Sequence, residues 1–152
     1  MRNRLAMRKK RATKKTRKSR PLPRPVTIIE SKGIMLTREY DVIRTRYFGK
    51  TIPPVGEVLI GFLSRREIAR LCRDEDEETD GLCSFGMYRG TPCPKAILLA
   101  DDLSETDEAI TLRHEMAHMK VNLRFKRLMG EGKHWKKEIR RLVAAGAYDG
   151  WL

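Results

Sequence analysis

Residues 104–118 read Ser-Glu-Thr-Asp-Glu-Ala-Ile-Thr-Leu-Arg-His-Glu-Met-Ala-His. Ser104 is an N-cap by residue type, and Glu105, Asp107 and Glu108 put negative charge on a first turn, where the helix dipole favours it. The spacing predicts a helix from there to about Met129, ended by Gly130 and Gly132. Inside it His114 and His118 are four residues apart, on one face, with about 5–6 Å between their Cβ atoms. Two imidazoles so placed can converge on one divalent ion at roughly 2.0–2.1 Å each. Glu115 follows the first of them and can reach the water that completes the coordination, taking its proton as that water attacks a carbonyl.

A hydrolytic zinc site uses three protein ligands and leaves the fourth position open. The chain has three histidines, and the third is His134. It follows Gly130-Glu131-Gly132, a turn that can reverse the chain, and Lys133 to Ala145 then reads as a last helix stopped at Gly146. On this reading the ligands are His114, His118 and His134, the metal is Zn²⁺, and Glu115 is the general base. Glu131 and Glu138 are rivals for the third ligand, and Glu138 alternatively forms an ion pair or supports a ligand from behind. Tyr148 and the arginines near the site are candidates to stabilise an oxyanion. Met116 and Met119 read as core, and Trp135 and Trp151 as packing for the last helix and the C-terminus.

Upstream, Tyr40, Ile43, Tyr47 and Phe48 recur at helical spacing between Thr37 and Phe48, with Gly49 as a stop. Ile52-Pro53-Pro54 is a rigid lead-in to a short apolar strand, Glu57 to Leu63. Ser64 to Cys72 reads as a short helix or an irregular extension of that strand. Asp74 to Asp80 holds six acids in seven positions and reads as a solvated loop. Shielding of the basic N-terminus and cation binding are its alternatives, although the spacing lacks the order of a calcium loop. Leu82 to Tyr88 alternates as a strand does and is closed by Arg89-Gly90. Thr91-Pro92-Cys93-Pro94 reads as a turn, and Lys95 to Ala100 as a further strand.

The net charge of +13 is unevenly placed. Residues 1–20 carry eleven Lys or Arg and no acid, so the other 132 residues hold 22 bases against 20 acids. A segment with so little to bury and so much like charge is expected to be disordered when free. Pro21, Pro23 and Pro25 stiffen the chain after it. Two units follow, a basic tail over 1–25 and a globular domain over 26–152. The tail points to a polyanion partner, nucleic acid before membrane, with Arg8, Lys9, Lys10, Arg11, Lys14, Lys15, Arg17 and Lys18 as contacts. No apolar run reaches the length of a membrane span, and the basic N-terminus lacks the apolar core of a secretory signal. The expected location is the cytoplasm or a nucleoid or other nucleoprotein particle, without secretion. Cys72, Cys83 and Cys93 are odd in number and lack Cys-x-x-Cys spacing, as suits free thiols in a reducing compartment.

His114-Glu115-Met116-Ala117-His118, followed at a distance by Glu131-Gly132-Lys133-His134-Trp135, resembles the SprT-like (Spartan-type) zinc metallopeptidase domain. That family pairs H-E-M-x-H with a downstream Gly-x-His or Gly-His and an aromatic residue. Tyr47-Phe48-Gly49 and Ile52-Pro53-Pro54-Val55 are similar to the family's helix end and its lead-in to the first strand. Leu82 to Tyr88 and Ala96 to Leu103 are similar to its next two strands, so the resemblance covers about residues 36–146. It implies an α+β, minimal zincin-like fold with a small three-stranded sheet packed on the H-E-x-x-H helix. It also implies an endopeptidase, in some members acting on proteins attached to DNA, with zinc on His114, His118 and His134 and catalysis by Glu115. Metzincins place a third His six residues after the second, where this chain has Arg124. Regulatory proteases that add an acidic ligand on a downstream E-x-x-A-type helix have no matching segment here. A reading from another class is a non-catalytic, nucleic-acid-associated structural or accessory protein, for instance of a virion or nucleoprotein particle, with zinc as a staple.

Overall fold

A computed structural model describes residues 28–151, with side chains from residue 32 onward. The basic tail, its expected disorder and the nucleic-acid contacts assigned to it lie outside the described residues. Within them the chain is mixed α+β, in the order α1 (Ile28–Ile43), β1 (Leu59–Leu63), α2 (Arg65–Cys72), β2 (Gly81–Tyr88), β3 (Thr91–Ala100), α3 (Glu105–Phe125) and α4 (Lys133–Ala144). The three strands form one sheet in the order β1-β3-β2, with β3 parallel to β1 and antiparallel to β2. No helix among the described residues is long and apolar enough to cross a membrane.

Helix α1 begins nine residues before the expected Thr37. Its extra turns escape a periodicity reading because, over Lys32 to Leu36, Ile34 and Met35 face solvent and Leu36 alone is buried. Leu36, Tyr40 and Ile43 then line the core side. The next core residue is Phe48, five positions on, a step too long for an α-helix. A π-helical turn over Arg44–Phe48 absorbs the extra residue, and Gly49, at φ +57°, closes it. Tyr40 is fully buried and donates its hydroxyl to the carbonyl of Pro53 at 2.7 Å, which ties α1 to the proline lead-in.

Ser64 to Cys72 resolves as a helix, because Ser64 and Glu67 make a reciprocal capping box. The acidic loop is organised by its own first residue: Asp74 accepts from the backbone N–H and hydroxyl of Thr79 at 2.9 and 2.6 Å. Arg65 bridges Asp80 and Asp102. Arg89 and Gly90 both take positive φ, 49° and 76°, as a tight two-residue hairpin requires.

The expected turn at Thr91–Pro94 is instead the start of β3. Pro92 pairs with Met87 and Pro94 with Phe85, whereas β1 reaches only Ala96 to Ala100. The first residues of β3 therefore have one neighbouring strand, and the missing N–H groups of the two prolines break no ladder.

Helix α3 starts at the Ser104 cap as expected, with the Asp107 N–H on Ser104 Oγ at 3.1 Å. It packs on β2 and β3, and its buried residues, among them Leu112, Met116 and Met119, run round most of its circumference. Arg113 is buried as well and donates to the carbonyls of Ala147 and Ala109, fixing the C-terminal turn to the helix. The helix stops at Phe125, four residues before the expected end, because Lys126 adopts the left-handed conformation at φ 52°.

Helix α4 docks on α3 through a buried carboxylate. Glu138 accepts from Lys120 at 2.9 Å and from Arg141 at 2.6 Å, while Arg141 also donates to the Tyr47 carbonyl at 2.9 Å. Burial raises the pKa of Glu138, but its hydrogen bonds to Arg141 and Lys120 outweigh that and leave it below the ordinary value. A depressed carboxyl contributes stability that is full above its unfolded pKa and disappears as pH falls through the folded value. Replacing Glu138 by Gln should therefore cost about 2 kcal/mol at pH 7 in urea unfolding. The deficit should shrink below about pH 4, where the parent carboxyl is protonated as well. A deficit that stays constant with pH would show that the charge contributes nothing.

Candidate metal centre

His114 and His118 project from α3 into a cleft of about 750 Å³. One wall is β2, from Gly81 to Phe85, and the opposite rim is the loop after α3, at Leu128, Met129 and Glu131. Strand β2 is an edge of the sheet. Its approach to α3 requires Gly81, where a Cβ would lie 2.6 Å from Thr111 Cγ2 and 3.3 Å from Glu115 Cγ.

The two imidazole Nε2 atoms face each other at 3.1 Å. Glu131 Oε1 completes a triangle, 3.0 Å from His114 Nε2 and 3.8 Å from His118 Nε2. Two ligands about 2.05 Å from one tetrahedral ion would stand roughly 3.3 Å apart, so the three donor atoms already have the spacing of a coordination shell. Burial holds both imidazoles below their ordinary pKa, against the pull of Glu131, so each is disposed to present a lone pair. These three residues could hold a metal ion.

Glu115 lies at the cleft floor, 7% exposed. Burial pushes its carboxyl up to about 7, although the backbone N–H of Cys83 on β2 works in the other direction. Trp135, from α4, closes the back of the site, with its ring centroid 4.7 Å from that of His114 and 5.4 Å from that of His118. Its indole N–H is buried without a partner.

The structure does not bring His134 to this cluster. His134 lies in a second groove between α3 and α4, with its ring centroid 4.2 Å from that of Phe125. Partial burial and the neighbouring Lys133, Arg127, Arg124 and Lys137 hold its pKa down. Glu138, the other rival, is committed to Lys120 and Arg141. Tyr148 is buried away from the cleft, and no arginine lines the cleft among the described residues. Met116 and Met119 are fully buried, in keeping with core roles.

What turns Glu131 inward is the early end of α3. Asn122, 5% exposed, accepts the Met129 N–H on Oδ1 at 2.8 Å, and the Arg127 N–H bonds the Asn122 carbonyl at 3.3 Å. The loop is thereby folded back along the helix, and Glu131 returns over His114. An Asn seven residues before a Met has no motif value, so nothing in the sequence singles out Asn122.

No family model matches the chain, and no curated protein or solved structure matches it significantly.

Removing the Asn122 amide should free this loop. Asn122→Ala is expected to cost about 1–2 kcal/mol, through the unpaired Met129 N–H and the missing acceptor. Hydrogen exchange at the Met129 amide should accelerate while exchange within α3 stays slow. Unchanged protection at Met129 would mean that Asn122 does not hold the loop.

Proposed function

We propose that this protein is a zinc-dependent peptidase with a minimal zincin-like site of the SprT-like kind, in which His114, His118 and Glu131 are the protein ligands and Glu115 is the general base. The observation that carries the proposal is the convergence of three donor atoms, all within 4.8 Å of one another, beside a buried carboxylate in an open cleft. A structural zinc is enclosed by four protein ligands, whereas three ligands in a cleft leave a position for water or substrate. The set of two histidines and a glutamate replaces the three-histidine set expected from the sequence.

A zinc ion held there would supply a Lewis acid that acidifies a water and polarises the scissile carbonyl. Glu115 takes the proton of the attacking water on its carboxylate and returns it to the leaving amine nitrogen. His114 and His118 would hold the ion as neutral imidazoles, and Glu131 would add the negative charge that offsets part of the ion's. Trp135 excludes water from behind the imidazoles and limits their rotation. An extended peptide adds to the free edge of β2 through backbone hydrogen bonds, which read little side-chain sequence. Selection of substrates then rests on location. The charge of Arg8, Lys9, Lys10, Arg11, Lys14, Lys15, Arg17 and Lys18 supports a place on nucleic acid or in a nucleoprotein particle.

Two measurements test this. Glu115→Gln should keep one zinc per chain by elemental analysis and lower cleavage of a fluorogenic protein substrate by at least about 100-fold. A variant that still cleaves removes Glu115 from the mechanism. In competition with a chromogenic chelator, Glu131→Ala should weaken zinc binding by more than about 100-fold, beyond the loss typical of an outer partner, while His134→Ala leaves it unchanged. The reverse pattern would return the third ligand to His134.

A further inference from the structure

The positive charge of the globular part is concentrated in one place. Residues 120–141 hold nine of the 22 Lys and Arg of residues 21–152 but two of the 20 acids, so this stretch carries +7 and the rest of residues 21–152 carries −5. Neither acid is free: Glu138 lines the α3–α4 groove but is neutralised by its ion pairs to Lys120 and Arg141, and Glu131 faces the histidine pair. Between α3 and α4 lies a groove of about 580 Å³ that shares no lining residue with the metal-site cleft. Arg124, Lys137 and Arg140 line it, and none of them forms an ion pair among the described residues. Its floor includes the tilted Phe125–His134 ring pair, and the Arg124 guanidinium lies 5.5 Å from the Phe125 centroid.

Helix stability accounts for only some of these cations. Arg124 and Lys126 stand at the C-terminal end of α3, where the helix dipole favours them. At the start of α4 the placement is reversed, although Arg141 suits its last turn: the helix begins with Lys133, has no acid in its first turn and no side-chain cap, and continues with Lys136 and Lys137. Cations at a helix N-terminus oppose the dipole, so the fold gains nothing from this end of α4 being basic. A polyanion partner accounts for it. A concave groove with unpaired cations along it and two aromatic rings in its floor suits a single strand, whose phosphates follow the cations while a base stacks. A duplex offers no free base face, and an acidic peptide makes no use of the rings.

We propose that the α3–α4 groove binds single-stranded nucleic acid, with Arg124, Lys137 and Arg140 on the phosphates and Phe125 and His134 against a base. The groove is a second nucleic-acid surface, on the folded body and separate from the N-terminal tail, and it does not depend on the metal reading.

The test uses the full chain, with its tail, and a fluorescently labelled single-stranded oligonucleotide titrated across a range of salt concentrations. Replacing Arg124, Lys137 and Arg140 together by Gln should flatten the log–log salt slope by about 2, at roughly 0.7 for each phosphate that is no longer neutralised. These side chains are exposed or at the groove surface, and circular dichroism would verify the fold. His134→Ala should weaken binding by about fivefold or more without changing the slope, as removal of a stacking platform does. An unaltered slope and affinity in the triple variant would assign all binding to the tail and overturn the proposal. So would equal competition by polyglutamate and by unlabelled oligonucleotide at matched charge, which would make the groove an acidic-peptide site.

Discussion

Helix α3 runs through the middle of the molecule with most of its circumference buried, and that burial sets the terms for everything attached to it. Leu112, Met116 and Met119 hold it against the sheet and α1, Arg113 fastens the C-terminal turn, and Lys120 receives α4. A helix so fixed cannot rotate, so the face bearing His114 and His118 has a single orientation, toward the free edge of β2. Preorganised ligands lose little freedom when they bind an ion, and a carboxylate one residue along is held in a fixed relation to them. The hydrolysis proposed for this site needs both conditions.

The start of this helix is legible because its signals are local. Ser104, three acids in the first turn and two histidines four apart can be read without knowing what surrounds them. The hairpin turn at Arg89-Gly90 and the stop at Gly146 are local in the same way. The capping box at Ser64 and Glu67 is equally local, and it decides in favour of a helix where Ser64 to Cys72 left a helix and a strand extension open. The prolines of β3 mislead because a proline rules out an interior strand but not a portion with one neighbour, and the extent of β1 is a tertiary fact.

The third donor is not legible, for a different reason. Its identity depends on where α3 ends, and the helix ends at a lysine in the left-handed conformation, which residue type does not announce. Ending at Phe125 rather than near Met129 shifts the following chain by about one helical turn. Glu131 then arrives where His134 is expected, and His134 turns into the groove between α3 and α4. Residue preference favours a histidine; the path of the backbone, held by Asn122, brings a carboxylate beside the two imidazoles instead. The exchange adds negative charge to the site and leaves His134 among cations, in the groove between α3 and α4.

Anomalous diffraction at the zinc edge, from crystals of the protein grown with zinc, tests most directly whether His114, His118 and Glu131 hold one zinc ion in the cleft beside β2. One peak is expected, about 2.0–2.2 Å from His114 Nε2, His118 Nε2 and a Glu131 carboxylate oxygen, with His134 away from it. A peak bonded to His134, or none in the cleft, would contradict that assignment.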